Sequence, residues 1–290
     1  MVLFILENER SPVKDSIKIL ITNVAVYMNL WWPSHFGYKL SLLIILWWFM
    51  KTIYSRFYWQ VGFKTHLYDL LLPQAYSDSF RRLAKSIHTD KDYVLLDAGC
   101  GSGVFLNYIN LSNRSTYIGV DLLMSGVSNA RIKRRFKNLL NRAYFVLSDI
   151  SKSLPMRSQS VDIIVAHFSL YTIDSEKRKL VFKEFRRLLK KGGGLILIEP
   201  STEYSAKRII AHSIKLVLDN EGKFTSLIKK WFFYPFTYHF GLKFIESQLR
   251  KGIWRAVDSE ELCDEVSANG YTVNSVEQVY ADSATLIIAS

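Results

Sequence analysis

Cysteine is scarce in this chain: Cys100 and Cys263 are the only two in 290 residues. That excludes a disulfide framework and a zinc site built from cysteine alone. The six histidines show no spacing such as HExxH, so no metal site is expected. There is no internal repeat and no low-complexity tract. The N-terminal MVLFILENERSPVK has no basic stretch before its apolar start and no small-residue cleavage site, so it does not read as a signal peptide. Long apolar runs are missing too. The run Leu40–Met50 covers only about 16 Å as a helix, against roughly 30 Å of hydrocarbon. The longer stretch Ile17–Trp32 is interrupted by Lys18 and Asn23. These absences predict a cytoplasmic protein that at most touches the inner face of a membrane.

Apolar residues and positive charge are plentiful. Hydrophobic residues make up 49% and charged residues 22%, which suits a chain that buries a core. The net charge of +12 suggests an anionic partner: nucleic acid, a phospholipid surface or an acidic small molecule. Five of the seven Trp (Trp31, Trp32, Trp47, Trp48 and Trp59) fall in the first 59 residues. Trp prefers the membrane–water interface, and flanking Lys can snorkel to headgroups. Residues 1–62 are therefore expected to form a hydrophobic helical extension. It either contacts a membrane peripherally through 11–59 or caps the remaining domain, 63–290.

From Tyr93 onward short apolar runs alternate with helical patterns. The runs are Tyr93–Leu96, Thr116–Val120, Tyr144–Leu147, Val161–Ala166 and Leu195–Ile198. Helices are predicted over Val104–Asn110, Ser125–Leu140 and Asp174–Lys190, the last ending at Gly192-Gly193-Gly194. This pattern predicts an α/β fold with a Rossmann-like, doubly wound, mostly parallel sheet. Residues 259–290 predict a helix, a turn at Asn269-Gly270 and a closing antiparallel pair near Tyr271–Val279 and Ala284–Ala289. Residues 201–258 interrupt the alternation as a helical lid insertion. Within it, 231–240 holds seven aromatics in ten positions. Residues 131–191 hold sixteen Lys and Arg against five acids, densest in RIKRRFKNLLNR. A solvated helix face, anionic lipid and RNA each fit that stretch.

The run VLLDAGCGSG (94–103) follows the first strand. Gly99, Gly101 and Gly103 allow a tight turn and close approach of a ligand to the backbone. A following helix would offer N–H groups to a carboxylate. Asp97 would repel a pyrophosphate but suits an ammonium group. The second strand ends in Asp121, an acid that can accept hydrogen bonds from ribose hydroxyls.

The run resembles motif I of class I S-adenosylmethionine-dependent methyltransferases, of the small-molecule and lipid type similar to quinone-biosynthesis enzymes. Further matches follow in order: Asp121-Leu122, Asp149-Ile150, Leu154-Pro155, Val161-Asp162 and FKEFRRLLKKGGGLILIEP (182–200). The resemblance covers roughly 67–200 and 259–290. It implies S-adenosylmethionine as cofactor, held by Asp97, Gly99, Cys100, Gly101, Gly103, Asp121, Leu122 and Ala166. It also implies that Asp149 and Ile150 meet the adenine and that Tyr68 could cover the cofactor; a packing role for Tyr68 stays open.

Strand four ends in AHFSLYTI (166–173), which faces the site in this fold. His167 and Tyr171 are the candidates for a base or for positioning the acceptor, with a hydrogen-bonded wall as the other reading of His167. Related enzymes often carry a His further along, where this chain has Tyr171 and Thr172. The Asn/Asp-Pro-Pro-aromatic motif of amino-methylating nucleic-acid enzymes is absent. The expected acceptor is small and lipophilic, taken at or near a membrane surface under an aromatic lid. A soluble natural-product or sugar methyltransferase is the alternative. A basic RNA-binding methyltransferase or adaptor is disfavoured, because the aromatics cluster away from the basic stretch.

Overall fold

The computed structural model describes Asp69 and residues 71–87, 91–136 and 138–290. The expectations for 1–62, for membrane contact through 11–59 and for Tyr68 lie outside the described residues.

Seven strands form one sheet in the order β3-β2-β1-β4-β5-β7-β6. The strands are β1 Val94–Ala98, β2 Thr116–Asp121, β3 Ala143–Leu147, β4 Val161–His167, β5 Leu189–Pro200, β6 Val273–Val279 and β7 Ala284–Ala289. The first five are mutually parallel, and β7 runs antiparallel between β5 and β6. The chain starts at β1 in mid-sheet, goes out to β3, then returns to β4. The crevice between β1 and β4 is thus the point where the winding reverses, the place where open α/β sheets bind ligands.

Helices cover both faces, which is why the central strands are apolar throughout. On one face lie α1 (Gln74–Lys85), α2 (Met124–Phe136) and α4 (Ala206–Glu221). Their Phe80, Leu83, Val127, Ala130 and Ile209 join a core with Leu95, Tyr117 and Ile196 of the sheet. On the other lie α3 (Ser175–Leu188) and α7 (Ser259–Ala268). There Val181, Phe182, Phe185, Leu188, Leu262 and Val266 pack on Leu96, Ile164 and Leu197. Three helices start on a side-chain cap: Asp174, Ser205 and Asp258 each accept an N–H from the first turn.

Two local expectations are corrected. The helix predicted over Val104–Asn110 is a four-residue 3₁₀ turn, Val104–Asn107. The predicted end of α3 at the glycine triplet is also wrong. The helix stops at Leu188, and Leu189 already pairs with Val161 as the start of β5. The glycines instead sit inside a twelve-residue strand, where the register shifts between Val161 and Ile163.

The insertion is helical. After α4 come α5 (Lys223–Ile228), two π-helical turns (Lys229–Phe233 and Thr237–Leu242) around one α-turn (Tyr234–Phe236), and α6 (Lys243–Arg250). It is anchored by Tyr234, whose hydroxyl donates to Ser213 O, and by Thr237, whose hydroxyl donates to Leu71 O at 2.9 Å. Among the described residues no helix is long and apolar enough to cross a membrane.

Candidate active site

The glycine loop leaves β1 with Gly99, Gly101 and Gly103 all at positive φ. At Gly99 a Cβ would stand 2.3 Å from Ser169 Cβ, so the loop presses against the segment that follows β4. Only glycine supplies both the left-handed backbone and that approach. The loop satisfies much of its own backbone. Gly99 and Cys100 N–H donate to Val120 O, Gly103 N–H donates to Cys100 O, and Gly101 N–H donates to the Asp121 carboxylate at 2.8 Å. The second Asp121 oxygen accepts Leu123 N–H at 2.8 Å. With only a short 3₁₀ turn behind it, this loop has no long helix dipole to offer an anion.

Its electrostatics instead favour a cation. Asp97 closes β1, is 3% exposed, and accepts the Tyr117 hydroxyl. Burial raises its pKa to about 7, with the neighbouring Asp121 adding to the rise and the Tyr117 hydrogen bond opposing it. Burial also raises Asp121. Asp97 and Asp121 have only neutral partners, with no ion pair to either among the described residues. One buried and one half-buried carboxylate without a counter-charge suit a ligand that brings an ammonium group and hydroxyls. S-adenosylmethionine carries both, so the donor set fits it.

The other cofactor candidates fall around this crevice. Cys100 is buried, and burial with the two aspartates pushes its thiol up, which keeps it protonated. Leu122 is exposed beyond β2. Asp149 follows β3 and accepts both the amide and the hydroxyl of Ser151. Partial burial raises its pKa, but those hydrogen bonds outweigh it and hold the carboxyl below its usual range. Ile150 and Ala166 are buried. Lys133 ties the loop to the segment before α1, donating to Asp69 at 2.6 Å and to Ser102 Oγ at 3.1 Å.

The two catalytic candidates occupy different settings. His167 ends β4 inside an aromatic cage. Phe80 stacks on it at 4.0 Å, and Tyr76 and Phe168 meet it edge-on at 4.7 Å each. Its Nε2 lies 2.8 Å from Ser79 Oγ. The Ser79 hydroxyl donates to Tyr76 O, so it accepts a proton from Nε2, which assigns the Nε2–H tautomer. Burial lowers the ring pKa to about 3, so the imidazole is neutral at physiological pH. Tyr171 is also buried. Its carbonyl accepts Arg255 N–H, and its ring meets the Trp254 edge at 5.3 Å.

Sequence reasoning missed Glu199, the third acid at the strand ends. It closes β5, is 1% exposed, and accepts Ser169 N–H at 3.3 Å and Leu170 N–H at 3.0 Å. Burial raises its pKa to about 7, and Arg178 acts against that rise. Arg178 lies 4.0 Å away and makes a two-pronged pair with Glu265. The acid in LILIEP was the available signal; its cation lies 21 residues earlier in sequence and could not be paired with it by pattern. Glu199 thereby fixes the post-β4 loop that presses on Gly99. Phe168, at φ +50, marks strain in the same loop.

The family described as "Methyltransferase domain" matches residues 89–234, half of the chain, spanning the glycine loop and both central crossovers. The chain belongs to this methyltransferase family. Its fold is that of the class I S-adenosylmethionine-dependent enzymes, and S-adenosylmethionine is the cofactor. Among solved structures, the methyltransferase is similar to a SAM-dependent methyltransferase from Aquifex aeolicus, with 16% identity and a TM-score of 0.50 over 72% of this chain and 88% of that one. It is also similar to geranyl diphosphate C-methyltransferase from Streptomyces coelicolor A3(2), with 12% identity and a TM-score of 0.50 over 73% and 78%. Among curated proteins, it is 28% identical over 116 residues to the "Putative 23S rRNA (guanine-N(1)-)-methyltransferase YxjB" of Bacillus subtilis (strain 168). That alignment spans 39% of this chain and 36% of the relative.

Proposed function

We propose that this methyltransferase moves the methyl group of S-adenosylmethionine to a small lipophilic acceptor at or near a membrane surface. The observation that carries the acceptor class is the wall beyond β4: Tyr76, Phe80 and Phe168 surround His167, and Tyr280 packs on Tyr76 and Phe168. An apolar, aromatic wall selects an acceptor by shape and desolvation.

The cofactor supplies the electrophilic methyl carbon when bound. Asp97 would take its ammonium group and Asp121 its ribose hydroxyls, with Asp149 and Ile150 at the adenine. The glycine loop would let it approach the backbone. The remaining task of the protein is to orient the acceptor and exclude water. In this reading His167 is a neutral wall that positions the acceptor, because an imidazole with a pKa near 3 is a weak base. Tyr171 supports the post-β4 loop from behind. Residues 1–62 add membrane contact, and 201–258 close over the acceptor.

The curated relative makes RNA the second reading. Against it, the basic stretch is partly spent on the protein itself. Arg131 donates to Phe145 O, Arg134 to Ala143 O, and Arg142 to Leu111 O.

The test is transfer of label from methyl-labelled S-adenosylmethionine into a cell extract, followed by solvent partition. Enzyme-dependent label in the organic phase is expected. Label confined to the aqueous or acid-precipitable fraction would reject the lipophilic acceptor.

A further inference from the structure

A surface helix of a globular protein normally turns its polar side outward. The insertion does the opposite. Phe224, Leu227, Ile228, Trp231, Phe232 and Phe236 follow helical spacing along one face. Phe224, Trp231 and Phe232 are 78%, 68% and 69% exposed. The face opposite is already used, with Ser226, Tyr234 and Thr237 buried. An aromatic side chain covers about 150–250 Å², so this outward face alone reaches the few hundred Å² that marks an interaction site.

Its flanks are cationic. Residues 206–251 hold nine Lys and Arg against three Asp and Glu. The Lys230 ammonium lies 5.8 Å from the Trp231 ring centroid, and Lys223 precedes Phe224. Trp and Phe at the crest, with Lys beside them, match the interface of an anionic bilayer: the rings enter the acyl boundary while the ammonium groups stay at the headgroups. A protein partner would need no such excess of positive charge.

We infer that the outward aromatic face of 224–236 docks the protein on an anionic phospholipid surface. The insertion is then a membrane anchor as well as a cover for the site. The inference shares the membrane location with the proposed function but names a different element, and it needs neither the acceptor nor methyl transfer.

The experiment is co-sedimentation of the full chain with vesicles of phosphatidylcholine plus phosphatidylglycerol, against vesicles of phosphatidylcholine alone. Wild type is compared with the triple variant Trp231→Ser/Phe232→Ser/Phe236→Ser. Wild type should prefer the anionic vesicles, and the variant should bind them about tenfold less or worse with its thermal unfolding unchanged. Equal binding by variant and wild type overturns the inference while leaving membrane contact through other residues standing. Absence of wild-type binding to either vesicle overturns it and the membrane location together, with methyl transfer unaffected. A self-associated species that the variant loses, with vesicle binding intact, assigns the face to a second copy and overturns the inference. Amide hydrogen exchange on the wild type reads the same question without any substitution: anionic vesicles should slow exchange across 224–236, and unchanged exchange contradicts the docking.

Discussion

The two halves of the crevice bury the same chemical group and raise its pKa alike, but only one half places a cation near it. At β5, Glu199 has Arg178 nearby, and Arg178 is held in turn by Glu265. At β1 and β2, the buried Asp97 and the half-buried Asp121 have neutral donors only among the described residues. A buried charge that is internally compensated belongs to the scaffold. A buried charge without compensation lowers the stability of the empty protein and is repaid by a ligand of opposite sign. The difference separates a loop-holding network from the proposed cofactor site without reference to any relative.

The strongest way to break the comparison is to remove the compensation on the β5 side. Arg178→Ala leaves the buried Glu199 without its cation, while Glu265 keeps Arg255 at 3.1 Å. It should cost about 3–5 kcal/mol, seen in chemical denaturation. On the β1 side the sign should reverse. Asp97→Asn removes an uncompensated charge, so the cofactor-free protein should be equally or more stable by the same measurement. A loss like that of Arg178→Ala would place Asp97 in the scaffold instead.

The pH dependence sharpens the contrast. Asp97 has a folded pKa of about 7, above its unfolded value, so the folded state holds the extra proton between the two. Stability of the empty protein therefore falls as pH rises from about 4 to 7 and is level above that. Glu199 acts in the same direction. An ammonium ligand favours ionised Asp97, so S-adenosylmethionine should bind more tightly as pH rises through 7. Thermal melts with and without cofactor at pH 6 and 8 check both slopes, and Asp97→Asn should flatten the cofactor-dependent one. The smallest effect is expected at the His167 wall. Ser79→Ala removes both hydrogen bonds of that hydroxyl and leaves the buried His167 Nε2–H unpaired, a loss worth about 1–3 kcal/mol, and should leave cofactor affinity unchanged in equilibrium binding.

Much of this architecture could be read in the sequence, and the residues show why. The five parallel strands were legible because each contains an apolar run bounded by turn residues, and β7 matches its expected range of Ala284–Ala289. Asp97 and Asp121 were legible because their positions at strand ends are local facts. The stretch VFLNYIN has helical spacing, yet only a 3₁₀ turn forms before the chain reaches Leu111. The glycine triplet looked like a helix stop because pattern alone does not show that Leu189 already pairs with Val161. The setting of His167 was hidden for a different reason. Its partners Ser79, Tyr76 and Phe80 come from α1, about ninety residues earlier in the chain. The aromatic content of 231–240 was visible, but its outward exposure depends on which face Tyr234 and Thr237 bury.

The central claim is that the uncompensated carboxylates at β1 and β2 form the cofactor site. Calorimetric titration of S-adenosylmethionine into wild type, Asp97→Asn and Asp121→Asn tests it most directly. Each lost charge-assisted hydrogen bond is worth about 1.5–3 kcal/mol, so each variant should bind roughly ten- to a hundredfold more weakly while remaining folded. Wild-type affinity retained in both variants would contradict the account.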